Sequence, residues 1–248
     1  TGIIDTITNA TAYTITGLQS ESFYDVYVRS DCNAAGNGNS SWLGPITFRT
    51  YTLPPFIETF TTGFLPDSRW AKREALIGNP TVFNTTNNSQ WAHDGFLNNG
   101  TTGAARVSCF SAIRNDWFFT KSIDLGIGNS WELYFDIGLT ANGTTGPSTL
   151  GTDDKLLVVI STDNGATWSA TNTIMTINQA TGLTNSGTML TQSLAGYSGV
   201  VKFGFYFEST INSPNFFDVF IDNLGVRNPG SCPAPNALNA SNVTASSL

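Results

Sequence analysis

A two-residue alternation recurring along most of the chain limits its fold more than any other feature. Phe23-Tyr24-Asp25-Val26-Tyr27-Val28-Arg29, Trp131-Glu132-Leu133-Tyr134-Phe135-Asp136-Ile137 and Val200-Val201-Lys202-Phe203-Gly204-Phe205-Tyr206-Phe207 mix aromatic or apolar residues with polar ones at this period. Successive side chains of an extended backbone point to opposite faces, so such a run gives one face to a core and one to solvent. Leu156-Leu157-Val158-Val159-Ile160 is apolar without a break, as a central strand buried on both faces would be. Asn142-Gly143 and Asn164-Gly165 stand between runs and favour tight reversal, because both residue types tolerate positive φ. The stretch from Asp67 to Leu76 is the one helix candidate, kept short by Pro66, Gly63 and Gly78. The reading is all-β.

Charge content agrees. Asp, Glu, Lys and Arg make up 12% of the 248 residues, against about 25% in an average domain. Thr, Asn, Ser and Gly must cover the surface instead, which excludes coiled coils and long helices with charge ladders. The 11 Lys and Arg are scattered and the net charge is −7, so no nucleic-acid partner is expected. No run of about 18 apolar residues occurs, so no membrane insertion is expected either. The 17 Phe, 7 Tyr and 6 Trp supply a core, and 24 Gly with 10 Pro supply turns. Sparse Lys with abundant Asn and Thr is the composition of an exported protein. The opening Thr1-Gly2-Ile3-Ile4 has neither a basic nor a long apolar region, which puts any export signal outside this stretch.

Two boundaries divide the chain. Tyr51-Thr52-Leu53-Pro54-Pro55 reads as a semi-rigid linker, since paired prolines cannot donate to a ladder. The second boundary is Asn228-Pro229-Gly230-Ser231-Cys232-Pro233-Ala234-Pro235. Residues 229–248 beyond it are too short to fold alone.

Residues 1–50 resemble the C-terminal half of a fibronectin type III domain through Tyr13-Thr14-Ile15-Thr16-Gly17-Leu18, Tyr24-x-Val26-x-Val28-Arg29, Ser41-Trp42 and Ile46-Thr47-Phe48. Cys232-Pro233-Ala234-Pro235 with Asn242-Val243-Thr244 resembles the opening of another. The resemblance implies an array of neighbouring repeats. Residues 56–228 are similar to the MAM-like or cleaved-adhesin jelly-roll modules of large secreted Bacteroidota proteins. The motifs are Phe56-Ile57-Glu58-Thr59-Phe60, Asn115-Asp116-Trp117-Phe118, Asp153-Asp154-Lys155-Leu156 and Phe220-Ile221-Asp222-Asn223-Leu224-Gly225-Val226. The implied architecture is a jelly-roll β-sandwich preceded by half of a fibronectin type III sandwich. The pairing resembles surface adhesins of gliding motility and type IX secretion, and also the accessory tails of exported hydrolases.

In the resembling modules a glutamate of the first strand and an aspartate of the last hold calcium; Glu58 and Asp222 match them, and Asp94 matches the loop acid of the same site. The implied cofactor is a structural calcium. A hard cation takes several oxygen ligands, and Glu58 and Asp222 lie among apolar neighbours, where an unpaired carboxylate is costly. The alternative is that these acids cap turns or accept backbone N–H groups without metal. Asp153 and Asp154 form a second, weaker metal candidate beside the reading of a solvated loop pair. Ser161-Thr162-Asp163-Asn164-Gly165-Ala166-Thr167-Trp168 fits the Asp-box pattern, in which Asp163 is structural.

No catalytic residue is assigned. The single His93 forms neither a multi-histidine zinc site nor a triad with a nucleophile elbow, and no phosphate-binding glycine motif occurs. Aromatic faces stack on sugars, and Trp91, beside His93 and Asp94, is the candidate for an exposed one, the alternative being that it closes the end of the sandwich. Trp70, Trp117, Trp131 and Trp168 are expected in the core or over hairpins. Cys109 is expected to be a free buried thiol, while by resemblance Cys32 and Cys232 each lose a partner in an adjoining repeat. The expected function is a non-catalytic, calcium-stabilised segment of an extracellular bacterial surface adhesin, binding a polysaccharide or cell-surface glycan. The alternative is a carbohydrate-binding accessory module of a secreted hydrolase.

Overall fold

The computed structural model describes residues 12–230, apart from 34–35, 37, 64, 66–67, 78–88, 111–112, 129 and 211–215. Cys232 and the rest of 231–248 lie outside the described residues. The chain begins with β1 (Phe23–Val28) and β2 (Leu43–Arg49), which pair antiparallel as a two-stranded sheet. There follow β3 (Phe56–Glu58), β4 (Ala71–Glu74), β5 (Trp91–Gly95), β6 (Gly103–Cys109), β7 (Arg114–Phe119) and β8 (Ile123–Asp124). The remaining strands are β9 (Glu132–Ala141), β10 (Lys155–Ser161), β11 (Thr173–Asn178), β12 (Thr188–Ser193), β13 (Val200–Ser209) and β14 (Phe217–Arg227).

Twelve of these strands form two six-stranded antiparallel sheets. One runs β11-β10-β13-β7-β4 with β8 on β13; the other runs β12-β9-β14-β6-β5 with β3 on β14. They face one another across a core in which Phe205 meets Phe135 at 5.3 Å and Phe118 meets Trp91 at 5.5 Å between ring centroids. The fold is an all-β sandwich. No helix among the described residues is long and apolar enough to cross a membrane.

The unbroken apolar run fits its place. Leu156, Val158 and Ile160 face the inter-sheet core, while Leu157 and Val159 join Trp117, Phe119, Trp168 and Tyr206 in a second cluster on the outer face. Asp67 lies outside the described residues, and the rest of the helix candidate, residues 68–76, is not a helix: Ala71 to Glu74 pair with Phe119 to Asp116 as an edge strand of the first sheet. Four residues beside a ready ladder gain backbone hydrogen bonds at once, whereas a helix that short repays little of its nucleation cost.

Candidate functional site

Glu58, Asp94 and Asp222 all come to the second sheet. β6 pairs with β14 as far as Ala105 opposite Ile221, and β3 takes up the same edge at Glu58 opposite Leu224. Between these two pairings β14 is irregular, with Asn223 at φ 48°. Glu58 and Asp222 therefore meet where one partner strand gives way to the next, and Asp136 lies opposite Asp222 on β9. Burial pushes the Asp222 carboxyl up to about 6, and the negative charges of Asp136 and Glu58 add to it against the Asn223 N–H. Glu58 Oε1 accepts the Phe60 N–H at 2.9 Å, and Asp136 accepts the Asn223 side-chain amide at 2.7 Å.

Asp94 sits opposite Ala104 but is committed elsewhere. Arg106 Nε lies 2.9 Å from its Oδ2, as a charge contact whose N–H points off the oxygen, and its Oδ1 accepts the Gly95 N–H at 2.8 Å. Glu58 and Asp222, with Asp136 beside them, fit a hard cation: oxygen donors with a surplus of negative charge. Asp94 does not, because its charge is already answered. Among the described residues no three His, Cys, Asp or Glu gather as a complete ligand set, so backbone or solvent oxygens would have to finish the shell.

The expectation of an exposed Trp91 is corrected. Its ring is fully buried, its Nε1–H donates to the Asp116 carbonyl at 3.2 Å, and Phe118 lies against it. Period two explains this: Trp91 and His93 share the core-facing side of β5, while Asp94 lies on the other. His93 Nε2 is 2.7 Å from the Phe60 carbonyl oxygen and 3.4 Å from the Gly103 backbone nitrogen. The Trp91 ring is therefore not offered to a ligand, and the His93 ring is half-buried. Trp70, Trp117 and Trp168 are buried and Trp131 is half-buried, as core and hairpin roles require.

The outer side of the second sheet holds the group that sequence reasoning missed. Asp218, fully buried on β14, accepts from Asn142 Nδ2 at 2.9 Å, Gly143 N–H at 2.7 Å, Asn98 Nδ2 at 3.2 Å and Arg106 at 3.1 Å, and from Ser108 Oγ. Burial alone would raise its carboxyl, but these donors outweigh it and hold it below the ordinary value. It thereby draws two loops over the sheet, including the tight turn Phe96–Asn98, where Leu97 and Asn98 take positive φ. The signal was present: an acid between Phe217 and Val219 has the same apolar surroundings that singled out Asp222.

Beneath these loops lies a cleft of about 590 Å³ walled by Phe96, Leu97, Asn99, Thr145 and Asn185, with Asp222 at its base. Phe96 is braced edge-on against Phe220 at 6.3 Å, and the Asn185 amide is held by the Thr145 carbonyl at 3.0 Å. The Asp-box lies on the other sheet. Asp163 accepts from Ser161 Oγ at 2.6 Å and from the Thr167 N–H at 3.0 Å, which hold its carboxyl at about 2. Gly165 has φ 86°, and Trp168 packs on Trp117 and Phe119, so the motif shapes a hairpin. Cys109 is a free buried thiol, as expected, and Cys32 is free and exposed.

Compared by sequence, the chain matches no family model and none of the curated proteins. Among solved structures it is similar to the K3 cleaved adhesin domain of Lys-gingipain from Porphyromonas gingivalis W83, at 11% identity and TM-score 0.45, over 69% of this chain and 96% of that one. The K1 cleaved adhesin domain of the same protein gives 15% identity and TM-score 0.44, over 71% and 98%. The N-terminal cellulose-binding domain of β-1,4-glucanase C from Cellulomonas fimi gives 12% and 0.38, over 71% and 99%. All three scores lie below 0.5, so the fold class rests on the strand pairing itself.

Proposed function

We propose that the sandwich is a non-catalytic glycan-binding or adhesion module of an exported bacterial surface protein, with a structural calcium held by Glu58 and Asp222. The observation that carries this reading is the cleft over the second sheet. Its walls offer a braced aromatic ring, neutral amides and a threonine, the donors, acceptors and apolar face that a pyranose presents in complement. Hydrolysis of a glycosidic bond takes two carboxyl groups flanking it. Here Asp222 is the one carboxylate among the residues lining the cleft, with Asp136 and Glu58 close to it. A like-charged crowd of this kind is stabilised by a shared cation. Sparse charge and a Thr- and Asn-rich surface support export, and the stiff Pro54-Pro55 junction supports a rod of repeats.

Affinity electrophoresis in polysaccharide-containing gels, with a glycan array for breadth, tests the cleft. Retardation by at least one polysaccharide is expected, reduced about tenfold or more by Asn185→Ala combined with Asn99→Ala while the circular dichroism spectrum holds. Binding that ignores both substitutions, or steady release of reducing ends, would refute the reading. For the metal, chelation is expected to lower the melting temperature of the wild type, and Asp222→Asn to reduce that shift.

A further inference from the structure

We infer that the loop carrying Asp153 and Asp154, ahead of β10, is a separate site for a hard divalent cation of the calcium class. The pair is not the solvated one the sequence allows: Asp154 is 1% exposed. Its Oδ2 accepts the Gly151 N–H at 2.7 Å, but its Oδ1 is buried with no hydrogen-bond partner. Lys155 pairs with Glu208 at 2.7 Å. Arg114 donates to the Phe110 carbonyl at 3.1 Å through one terminal nitrogen, while its Nε is buried without a hydrogen-bond partner and makes none to Asp154. A carboxylate oxygen withdrawn from water and left unmatched is among the costliest features a fold can carry, and it calls for a proton or a positive charge.

The surroundings favour a metal ion. A β-carbon built at Gly151 would lie 2.9 Å from Asp154 Oδ2 and 3.2 Å from Asp153 Oδ1, so both acids close on a notch that only glycine leaves open. Asp153 Oδ2 accepts the Thr210 N–H at 3.0 Å and lies 3.5 Å from Ser209 Oγ, which brings the end of β13 to the same place. Two carboxylates and a hydroxyl are oxygen donors only, the preference of calcium and magnesium over softer metals, and solvent or backbone oxygens would complete the shell. The adjacent Cys109 thiol does not compete. Burial, with both aspartates adding to it, keeps it protonated with its pKa pushed up to about 11.

This site is distinct from the one at Glu58. Cys109 lies opposite Phe217 and Glu58 opposite Leu224, seven residues along β14, or roughly 23 Å at about 3.3 Å per residue. The two are therefore separable by substitution. Isothermal titration with calcium chloride alone, after chelation and dialysis, is to be run on the full chain carrying Asp222→Asn, then on the same chain with Asp153→Asn or Asp154→Asn added. One calcium is expected to bind the Asp222→Asn protein, tenfold or more weakly once either loop acid is neutralised. In chelator, Asp154→Asn is expected to melt no lower than the wild type, because it removes an unmatched charge. An Asp222→Asn protein that binds no calcium, or binds it equally with Asp153→Asn, would overturn the inference. Asp153 is only half-buried, so its variant keeps the test valid if Asp154→Asn fails to fold.

Discussion

Four buried or half-buried carboxylates on this chain meet four different fates, and only their neighbours decide which. Asp218 is surrounded by donors, Asp222 by other acids, Asp154 keeps one bare oxygen, and Asp116 lies between these extremes. Asp116 accepts the Gln90 N–H at 3.0 Å, while its Oδ2 is buried without a partner. Burial pushes its carboxyl up to about 6, with Glu74 opposing ionisation further and Arg114 favouring it. The folded state therefore holds this proton more tightly than the unfolded chain does. The stabilisation is complete below about pH 4 and is lost as pH rises through about 6. Asp116→Asn keeps an oxygen for Gln90 and removes the charge. We expect it to raise stability above pH 7 by at most about 3 kcal/mol, from about two pKa units at roughly 1.4 kcal/mol each, and to flatten the profile between about pH 4 and 6. Denaturant melts across that range decide; a variant less stable than wild type at neutral pH would contradict the assignment. Apolar neighbours mark Asp218 and Asp222 in the sequence, whereas Asp154 stands between Asp153 and Lys155 and Asp116 follows Asn115, so nothing local announces their burial. The fates of Asp218, Asp222 and Asp116 were not legible either, because they depend on partners tens of residues away.

Strands were more legible than what covers them. Alternation located β1, β9 and β13, and unbroken apolarity located β10, because each pattern reflects a burial that every residue of the strand shares. β4 was misread because Ala71-Lys72-Arg73-Glu74 carries no alternation and takes its form from β7 alone. β3, at three residues, exists only as an addition to β14, and one glycine permits it. A β-carbon at Gly225 would lie 2.3 Å from the Phe56 carbonyl oxygen and 2.6 Å from the Tyr134 hydroxyl. The first is backbone and cannot swing aside. Gly225→Ala should detach β3 from β14, lowering stability by roughly 2–4 kcal/mol, within the range of overpacking and lost ladder bonds. It should also separate Glu58 from Asp222, so the melting shift on chelation should fall with it. Hydrogen exchange at Phe56–Glu58 measures the detachment, and protection equal to wild type would show that β3 is held by something else.

Across the whole molecule, the question is what fixes the two-stranded sheet to the sandwich. A lone two-stranded sheet is marginal in water, and β1–β2 exposes Phe23, Val28, Leu43 and Ile46. Its attachment converges on Glu21, just ahead of β1. That carboxylate accepts from Lys121 and from Thr52, with Arg69 at 3.4 Å. Lys121 in turn stands over the rings of Phe56 and Trp70, at 5.3 and 5.9 Å from their centroids. Burial opposes ionisation of Glu21, yet the Lys121 and Thr52 hydrogen bonds with the nearby cations overcome it and hold the carboxyl at about 2. A depressed acid stabilises above its unfolded value and loses that contribution as pH falls through the folded one. The tie should thus persist at about pH 4 and fail only in stronger acid. The sequence reads Pro54-Pro55 as a semi-rigid linker, but this clamp was not legible in it, since Glu21 and Lys121 stand 100 residues apart. Glu21→Ala leaves Lys121 poorly compensated, at a cost of roughly 1–3 kcal/mol. It should also free the small sheet to move, seen as faster proteolysis at Tyr51–Leu53 and a larger radius of gyration by X-ray scattering. Lys121→Met keeps the stem over the rings and removes the charge, so adding it to Glu21→Ala should recover stability but not the rigid attachment. A double variant as rigid as wild type would move the clamp to the Thr52–Ile123 bridge, and the attachment of the small sheet would then rest on backbone pairing instead of charge.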